Sequence, residues 1–191
     1  MKKIVTLMGS PRKNGNTATI VKHFNEKAEE LGANTKVYNL NSLNYKGCQA
    51  CMICKTKSDK CALEDDLTEI LEDLRDTDVV VMASPVYYGD VTSQLKAFID
   101  RTYSYLVPDF KNAAKPCRLE SGKKMVFIMP QGNPDENLFV DIFPKYKMFF
   151  QYYGMKDFYL IRACGVYHVG DVDSKEDVLK LAKETAEKVM G

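Results

Sequence analysis

The chain alternates short, fully apolar runs with longer stretches in which apolar residues recur every three or four positions. Ile4-Val5-Thr6-Leu7-Met8 is continuous and β-prone, the pattern of a strand covered on both faces, and it stops at Gly9-Ser10-Pro11. From Asn16 onward, Ile20, Val21, Phe24, Ala28 and Leu31 share one helical stripe, with Gly32 placed to end it. Residues 35–40 predict a second strand. Leu67, Ile70, Leu71 and Leu74 predict a helix behind Glu64-Asp65-Asp66, whose charges suit a helix N-terminus better than a metal pair. Residues 79–83 predict a buried third strand. A loop over 84–90 follows, then a helix carrying Leu95, Phe98, Ile99 and Thr102. Residues 125–129 predict a fourth strand, followed by a helical stretch to Tyr153 with Pro144 as a kink or restart. Residues 158–163 predict a fifth strand, and Ser174 with Asp177 has capping-box spacing ahead of a closing helix.

Two stretches break this rhythm. Residues 46–62 are rich in cysteine and read as an irregular insert. Residues 104–122, with Pro108 and Pro116, read as a long excursion that covers a site or makes a subunit contact. Five βα units without a linker or repeat predict one domain over residues 1–191. The expected fold class is α/β: a three-layer, doubly wound, five-stranded parallel sheet in the flavodoxin-like order 2-1-3-4-5. Ligands of such sheets sit outside the carboxyl ends of the strands where the order reverses, so the loops after strands one and three are the ones expected to carry chemistry.

A chain of 191 residues buries roughly 70% of its unfolded surface on folding and needs no covalent staples. The 27 Lys and Arg nearly balance the 26 Asp and Glu, which gives no reason to expect nucleic acid or a membrane surface as partner. The N-terminal apolar run is too short for a signal peptide, and no run approaches a membrane span, so a cytoplasmic protein is expected. In that compartment a tight group of cysteines points to metal or redox chemistry rather than to disulfides.

The loop Gly9-Ser10-Pro11-Arg12-Lys13-Asn14-Gly15-Asn16-Thr17 concentrates groups that suit an anion. The helix start supplies free N–H groups and a positive dipole end, Ser10 and Thr17 add hydroxyls, Asn16 an amide and Arg12 a cation. Its spacing excludes a Walker loop, because five residues separate Gly9 from Gly15 and Asn16 stands where the lysine belongs; a dinucleotide fingerprint is absent too. A monophosphate is the remaining candidate, against the plainer reading of a polar turn capped by Asn16 or Thr17. The loop after strand three, Ser84-Pro85-Val86-Tyr87-Tyr88-Gly89-Asp90, offers Tyr87 or Tyr88 as a flat wall for a planar ring, although such a pair equally serves packing.

At this point the chain resembles the iron–sulfur flavoprotein and NADPH-dependent FMN reductase group of flavodoxin-like proteins. The signatures are Gly-Ser-Pro-Arg at 9–12, Gly-Asn-Thr at 15–17, Ser-Pro-Val-Tyr at 84–87 and Leu-Lys-Ala-Phe-Ile-Asp-Arg at 95–101. The resemblance implies that Ser10, Arg12, Asn16 and Thr17 hold the FMN phosphate. It also implies that Pro85, Val86, Tyr87, Tyr88 and Gly89 border the ring, with Gln131 and Gly132 closing a third side. Flavin chemistry asks little acid–base work of the protein, and no catalytic side chain is assigned; His23 and His168 have no partners at catalytic or metal-ligand spacing.

Cys48, Cys51, Cys54 and Cys61 follow the pattern C-x2-C-x2-C-x6-C. Three thiolates at steps of three can wrap one corner of a cubane and a fourth can reach the remaining iron, so one [4Fe–4S] cluster is the natural reading. Structural zinc, which prefers two separated pairs, and free or oxidised thiols are the rivals. Cys117 and Cys164 read as small apolar residues. By resemblance, the function is transfer of electrons from a ferredoxin-like donor through the cluster and FMN to a small acceptor such as dioxygen, peroxide or a quinone. A second reading is an NAD(P)H-dependent reductase of flavins, quinones, nitro or azo compounds without a cluster; a third is a redox- or metal-sensing module. The resemblance further implies a homodimer or homotetramer.

Overall fold

A computed structural model describes residues 1–191. The elements run β1 (Lys3–Met8), α1 (Asn16–Glu30), β2 (Asn34–Asn39), a one-turn α2 (Ile53–Thr56) and α3 (Leu67–Asp73). They continue as β3 (Val79–Ala83), α4 (Ser93–Arg101), β4 (Lys124–Pro130), α5 (Ile142–Gln151), β5 (Phe158–Ala163) and α6 (Glu176–Met190). The five strands form one parallel sheet in the order β2-β1-β3-β4-β5, as expected from the sequence. No helix is long and apolar enough to cross a membrane.

Strand periodicity explains the layers. Ile4 and Met8 of β1, Val79, Val81 and Ala83 of β3, and Val126 and Ile128 of β4 face α1 and α6. The residues between them, Val5, Leu7, Val80, Met82, Met125, Phe127 and Met129, face α3, α4 and α5. A strand buried on both faces shows no polar alternation, which is why these runs read as continuously apolar. Helix α1 ends as its sequence suggests. Gly32 adopts φ +86°, its amide donates to Glu29 O and that of Ala33 to Ala28 O, the double bond of a glycine-terminated helix.

Two local expectations need correction. Ser174 does not cap α6, because its hydroxyl donates back to Asp171 O and closes a 3-10 turn over Asp171–Ser174. The stretch after β4 is not helical throughout. The chain turns through 133–139, and α5 starts at Ile142 with Pro144 in its first turn, where a missing N–H costs nothing.

The carboxyl ends of the strands are stitched into one platform. Gly9 N donates to Ala83 O (2.7 Å), Ser84 N to Ile128 O (3.0 Å), Val86 N to Pro130 O (2.9 Å) and Gln131 N to Ala163 O (2.7 Å). Gly9 is pressed against the start of α4, where an added Cβ would lie 2.8 Å from both Leu95 Cβ and Thr92 Oγ1. Both are short, rigid neighbours. Gly9→Ala is therefore expected to cost about 1–3 kcal/mol in urea unfolding, the range for overpacking a filled core; an unchanged midpoint would show that the two loops yield freely.

Candidate functional site

A cleft of about 710 Å³ opens over the carboxyl ends of the strands. This is the usual size of a cofactor site. It is lined by Ser10, Arg12, Gly15, Asn16 and Thr17 from the first loop, by Pro85, Val86, Tyr87 and Tyr88 from the second, and by Gln131, Gly132 and Asn133 from the third. The three segments named from the sequence thus converge on one volume. Gly89 lies beside it, its Cα hydrogens facing the Phe139 ring.

The head of α1 carries the polar end of the cleft. Gly15 stands at the N-cap without a side-chain cap, and the amides of Asn16 and Thr17 donate to nothing within the chain. The Thr17 hydroxyl likewise has no partner, although the residue is buried. Ser10 Oγ accepts from Arg12 N (3.2 Å) and holds the loop closed. Arg12 Nη1 reaches Tyr167 O (3.1 Å). Asn16 plays another part than its amide suggested: Nδ2 donates to Val166 O (3.1 Å) and His168 O (2.8 Å), while Oδ1 accepts from Val172 N (3.3 Å). Its side chain ties down the loop after β5, and its backbone amide is what it offers the cleft.

The second loop is a tight turn. Tyr87 N donates to Asp90 O (2.8 Å) and Asp90 N to Tyr87 O (3.1 Å), with φ of +51° at Tyr88 and +80° at Gly89. A bulky residue in the left-handed region is uncommon and marks a locally strained, constrained turn. The turn sends the Tyr88 ring wholly into solvent while Tyr87 is about half exposed. Asp90 anchors it. Its carboxylate accepts from Lys145 Nζ (2.7 Å), Tyr146 Oη (2.9 Å) and Val91 N (2.7 Å).

The third side is braced from β5. Arg162 donates to Gln131 Oε1 (2.6 Å), Glu136 O (2.7 Å) and Leu138 O, while Gln131 Nε2 donates to Asn133 O (2.9 Å) and Asp135 O (3.0 Å). Gln131 is therefore a buried brace of its loop. Sequence reasoning missed Phe139, Val166 and Tyr167, which with Pro130 complete the lining. They lie in aperiodic segments. Tyr167 packs so closely on Gly132 that a Cβ there would meet its ring at 2.8 Å.

A second site lies on the α4 side of the sheet. Cys48, Cys51, Cys54 and Cys61 line a common small recess with Arg101 and Tyr103. All four are free thiols, with Cys48 and Cys51 exposed and Cys54 buried. The turns that carry them are bent, with φ of +51° at Ala50 and +59° at Met52. Burial pushes the Cys54 thiol up, against the neighbouring positive charge of Lys55. The excursion over 104–122 covers this insert. Arg118 donates to Cys54 O (3.0 Å), Ser104 O (2.7 Å) and Leu106 O (2.8 Å), and Lys55 Nζ donates to Tyr103 O (2.6 Å). No three His, Cys, Asp or Glu side chains are grouped to hold a single metal ion. Asp65 serves instead as the partner of the buried Arg101 (2.7 Å) and accepts from Lys46 N and Leu67 N.

These features define a flavodoxin-like α/β protein with a mononucleotide-sized cleft at the sheet's carboxyl edge. The chain belongs to the NADPH-dependent FMN reductase family, whose model matches residues 2–127. It is 36% identical over 100 residues to an iron–sulfur flavoprotein of Methanocaldococcus jannaschii, covering 52% of this chain and 51% of that protein. It is 38% identical over 100 residues to an iron–sulfur flavoprotein of Methanosarcina thermophila, covering 52% of each. The match thus spans about half the length of these relatives. Among solved structures, an NAD(P)H:quinone oxidoreductase from Methanothermobacter marburgensis superposes with a TM-score of 0.80 at 18% identity, covering 100% of this chain and 98% of that one. An FMN-dependent NADH-azoreductase from Bacillus anthracis in complex with FMN gives 0.76 at 17%, with both chains fully covered. At such identities the likeness speaks for the fold.

The Asp90 anchor gives the loop after β3 a pH dependence. Burial raises the Asp90 carboxyl, but the hydrogen bonds from Lys145, Val91 N and Tyr146 outweigh it and hold the group below the usual carboxylate range. A depressed carboxylate stabilises the fold above its unfolded value, and that contribution is lost as pH falls through the folded value. The hydrogen-exchange protection factor of the Tyr87 amide is expected to fall on acidification below about pH 4, near the unperturbed carboxylate value. In Asp90→Asn it should be lower at neutral pH and change little with acid. Equal profiles in the two proteins would contradict the anchor.

Proposed function

We propose that the cleft binds FMN and that the protein is an FMN-dependent oxidoreductase. The single observation that carries this reading is the pair of unspent amides and the unspent Thr17 hydroxyl at the head of α1, aimed at one end of a cleft whose other walls are Tyr87, Val86 and Gly132. A phosphate suits the first end, because amides, hydroxyl and helix dipole all favour an anion. A flat, largely apolar ring suits the other. On this reading Ser10, Arg12 and Thr17 with the amides of Asn16 and Thr17 hold the phosphate. Pro85, Val86, Tyr87, Tyr88 and Gly89 border the ring, and Gln131 and Asn16 keep two of the walls in place. The bound flavin supplies the hydride and electron chemistry, and the chain's own work is orientation and exclusion of water. The exposed rings of Tyr87 and Tyr88 support a second copy of the chain completing the site, in a homodimer or homotetramer.

The four cysteines support a [4Fe–4S] cluster, as the names of the relatives do. The donor set is all thiol and shares one recess with the Arg101 guanidinium, whose Nε donates to Cys61 Sγ, which favours a group carrying four thiolates. Structural zinc prefers two separated pairs, which three closely stepped cysteines suit less well. The recess has a free volume of only about 20 Å³, so the thiols, two of them on exposed turns, must swing apart around a cluster. With both groups bound, single electrons from a ferredoxin-like donor would reach the flavin and leave on a small acceptor such as dioxygen, peroxide or a quinone. The family name favours NAD(P)H as donor in the second reading, with the cysteines idle.

Anaerobically prepared protein, analysed for flavin, iron and sulfide, tests both halves. One FMN with four irons and four sulfides per chain is expected. FMN without iron after reconstitution would favour the NAD(P)H-dependent reductase, and absence of both would refute the account. Thr17→Val, which removes a hydroxyl facing a charged phosphate, is expected to weaken FMN binding about 10- to 100-fold. Cys54→Ala should lose iron and keep flavin.

A further inference from the structure

Among the four clustered cysteines, one sulfur differs from the others. Cys61 Sγ accepts a hydrogen bond from Arg101 Nε at 3.1 Å. Cys48 Sγ accepts only a backbone amide, from Ala50 at 3.4 Å. Arg101 is the largest fully buried side chain of the protein and ends α4, the helix whose start supports the ring loop through Thr92 and Ser84. Its remaining donors close the insert on itself: Nη1 reaches Lys46 O (2.9 Å) and Asp65 Oδ2 (2.7 Å), and Nη2 reaches Leu63 O (3.0 Å). One guanidinium therefore ties the two ends of the insert together and directs a charged N–H at the most distant of the four cysteines in sequence.

We propose that Arg101 is a positioning residue that makes Cys61 the most electron-poor thiolate of the cluster and raises the cluster's reduction potential. This rests on the cluster reading above. The physical ground is that a charge-assisted hydrogen bond to a ligand sulfur, in a buried setting where such bonds are strong, stabilises the more electron-rich reduced state over the oxidised one. Planarity matters as much as charge. Lysine at this position keeps the cation but cannot donate to Cys61, Asp65 and two carbonyls in the same fixed fork.

The test compares the anaerobically reconstituted wild type with Arg101→Lys in a redox titration followed by electron paramagnetic resonance. The variant's cluster equilibrium is expected to shift at least tenfold toward the oxidised form, about 59 mV for one electron, while the flavin couple of the same sample stays put. Because a loosened insert would also move the cluster potential, the shift counts only together with the arginine–nitrogen coupling that reports the bond itself. Should the variant fail to fold, wild-type protein carrying 15N-labelled arginine gives the answer. Pulsed electron paramagnetic resonance of its reduced cluster should show weak coupling to an arginine nitrogen, and Arg101 is the only arginine that donates to a cysteine sulfur. An unmoved cluster potential, or no arginine coupling, overturns the role of Arg101 while leaving the cluster in place. Absence of iron and sulfide from the wild type would instead remove the cluster reading, and this inference with it.

Discussion

The head of α1 is the constraint on which the rest of the architecture turns. A helix that begins at Asn16 immediately after a tight loop leaves the Asn16 and Thr17 amides without acceptors inside the chain. Buried donors of that kind are expensive unless a ligand or water meets them. The fold does not relieve this locally. Gly15 cannot cap, and the side chain of Asn16 is committed to three backbone groups of the loop after β5. On the proposed reading an anion preference would be built into backbone geometry, and the side chains around it chiefly hold the loops where that geometry can be used.

The same economy links the two candidate sites through α4. At its start, Thr92 Oγ1 donates to Gly9 O (2.8 Å) and its amide donates to Ser84 Oγ, so the loops after β1 and β3 share one support. At its end, Arg101 is committed wholly to the cysteine insert. A nine-residue helix therefore carries the cleft-side loops at one end and the cysteine recess at the other. Any group bound in the insert is held in fixed relation to the cleft by a rigid, buried element rather than by the irregular segments around it.

Much of this was legible in the sequence because the signals were local. The fully apolar run at 79–83 and the β-prone run at 158–163 match β3 and β5 residue for residue, and the donors packed between Gly9 and Thr17 mark the loop they occupy. What escaped depends on long-range contacts. Nothing near Arg162 announces that it braces the loop over 131–138, and nothing in Asp65 distinguishes a helix-start charge from the partner of a guanidinium 36 positions away. Ser174 shows the converse, since its capping-box spacing is present while its hydroxyl is taken by a competing turn. Phe139 and Tyr167 reach the cleft from aperiodic segments, where no hydrophobic pattern exists to be read.

The central claim, that backbone donors at the head of α1 select a phosphate, is tested most directly by comparing FMN with riboflavin, which share the ring system and differ in the phosphate. Titration of flavin-free protein should show FMN binding at least about 100-fold more tightly, the equivalent of one or two charge-assisted hydrogen bonds. The preference should shrink as salt rises. Equal affinities for the two flavins would place the binding energy in the ring loop alone and contradict the account.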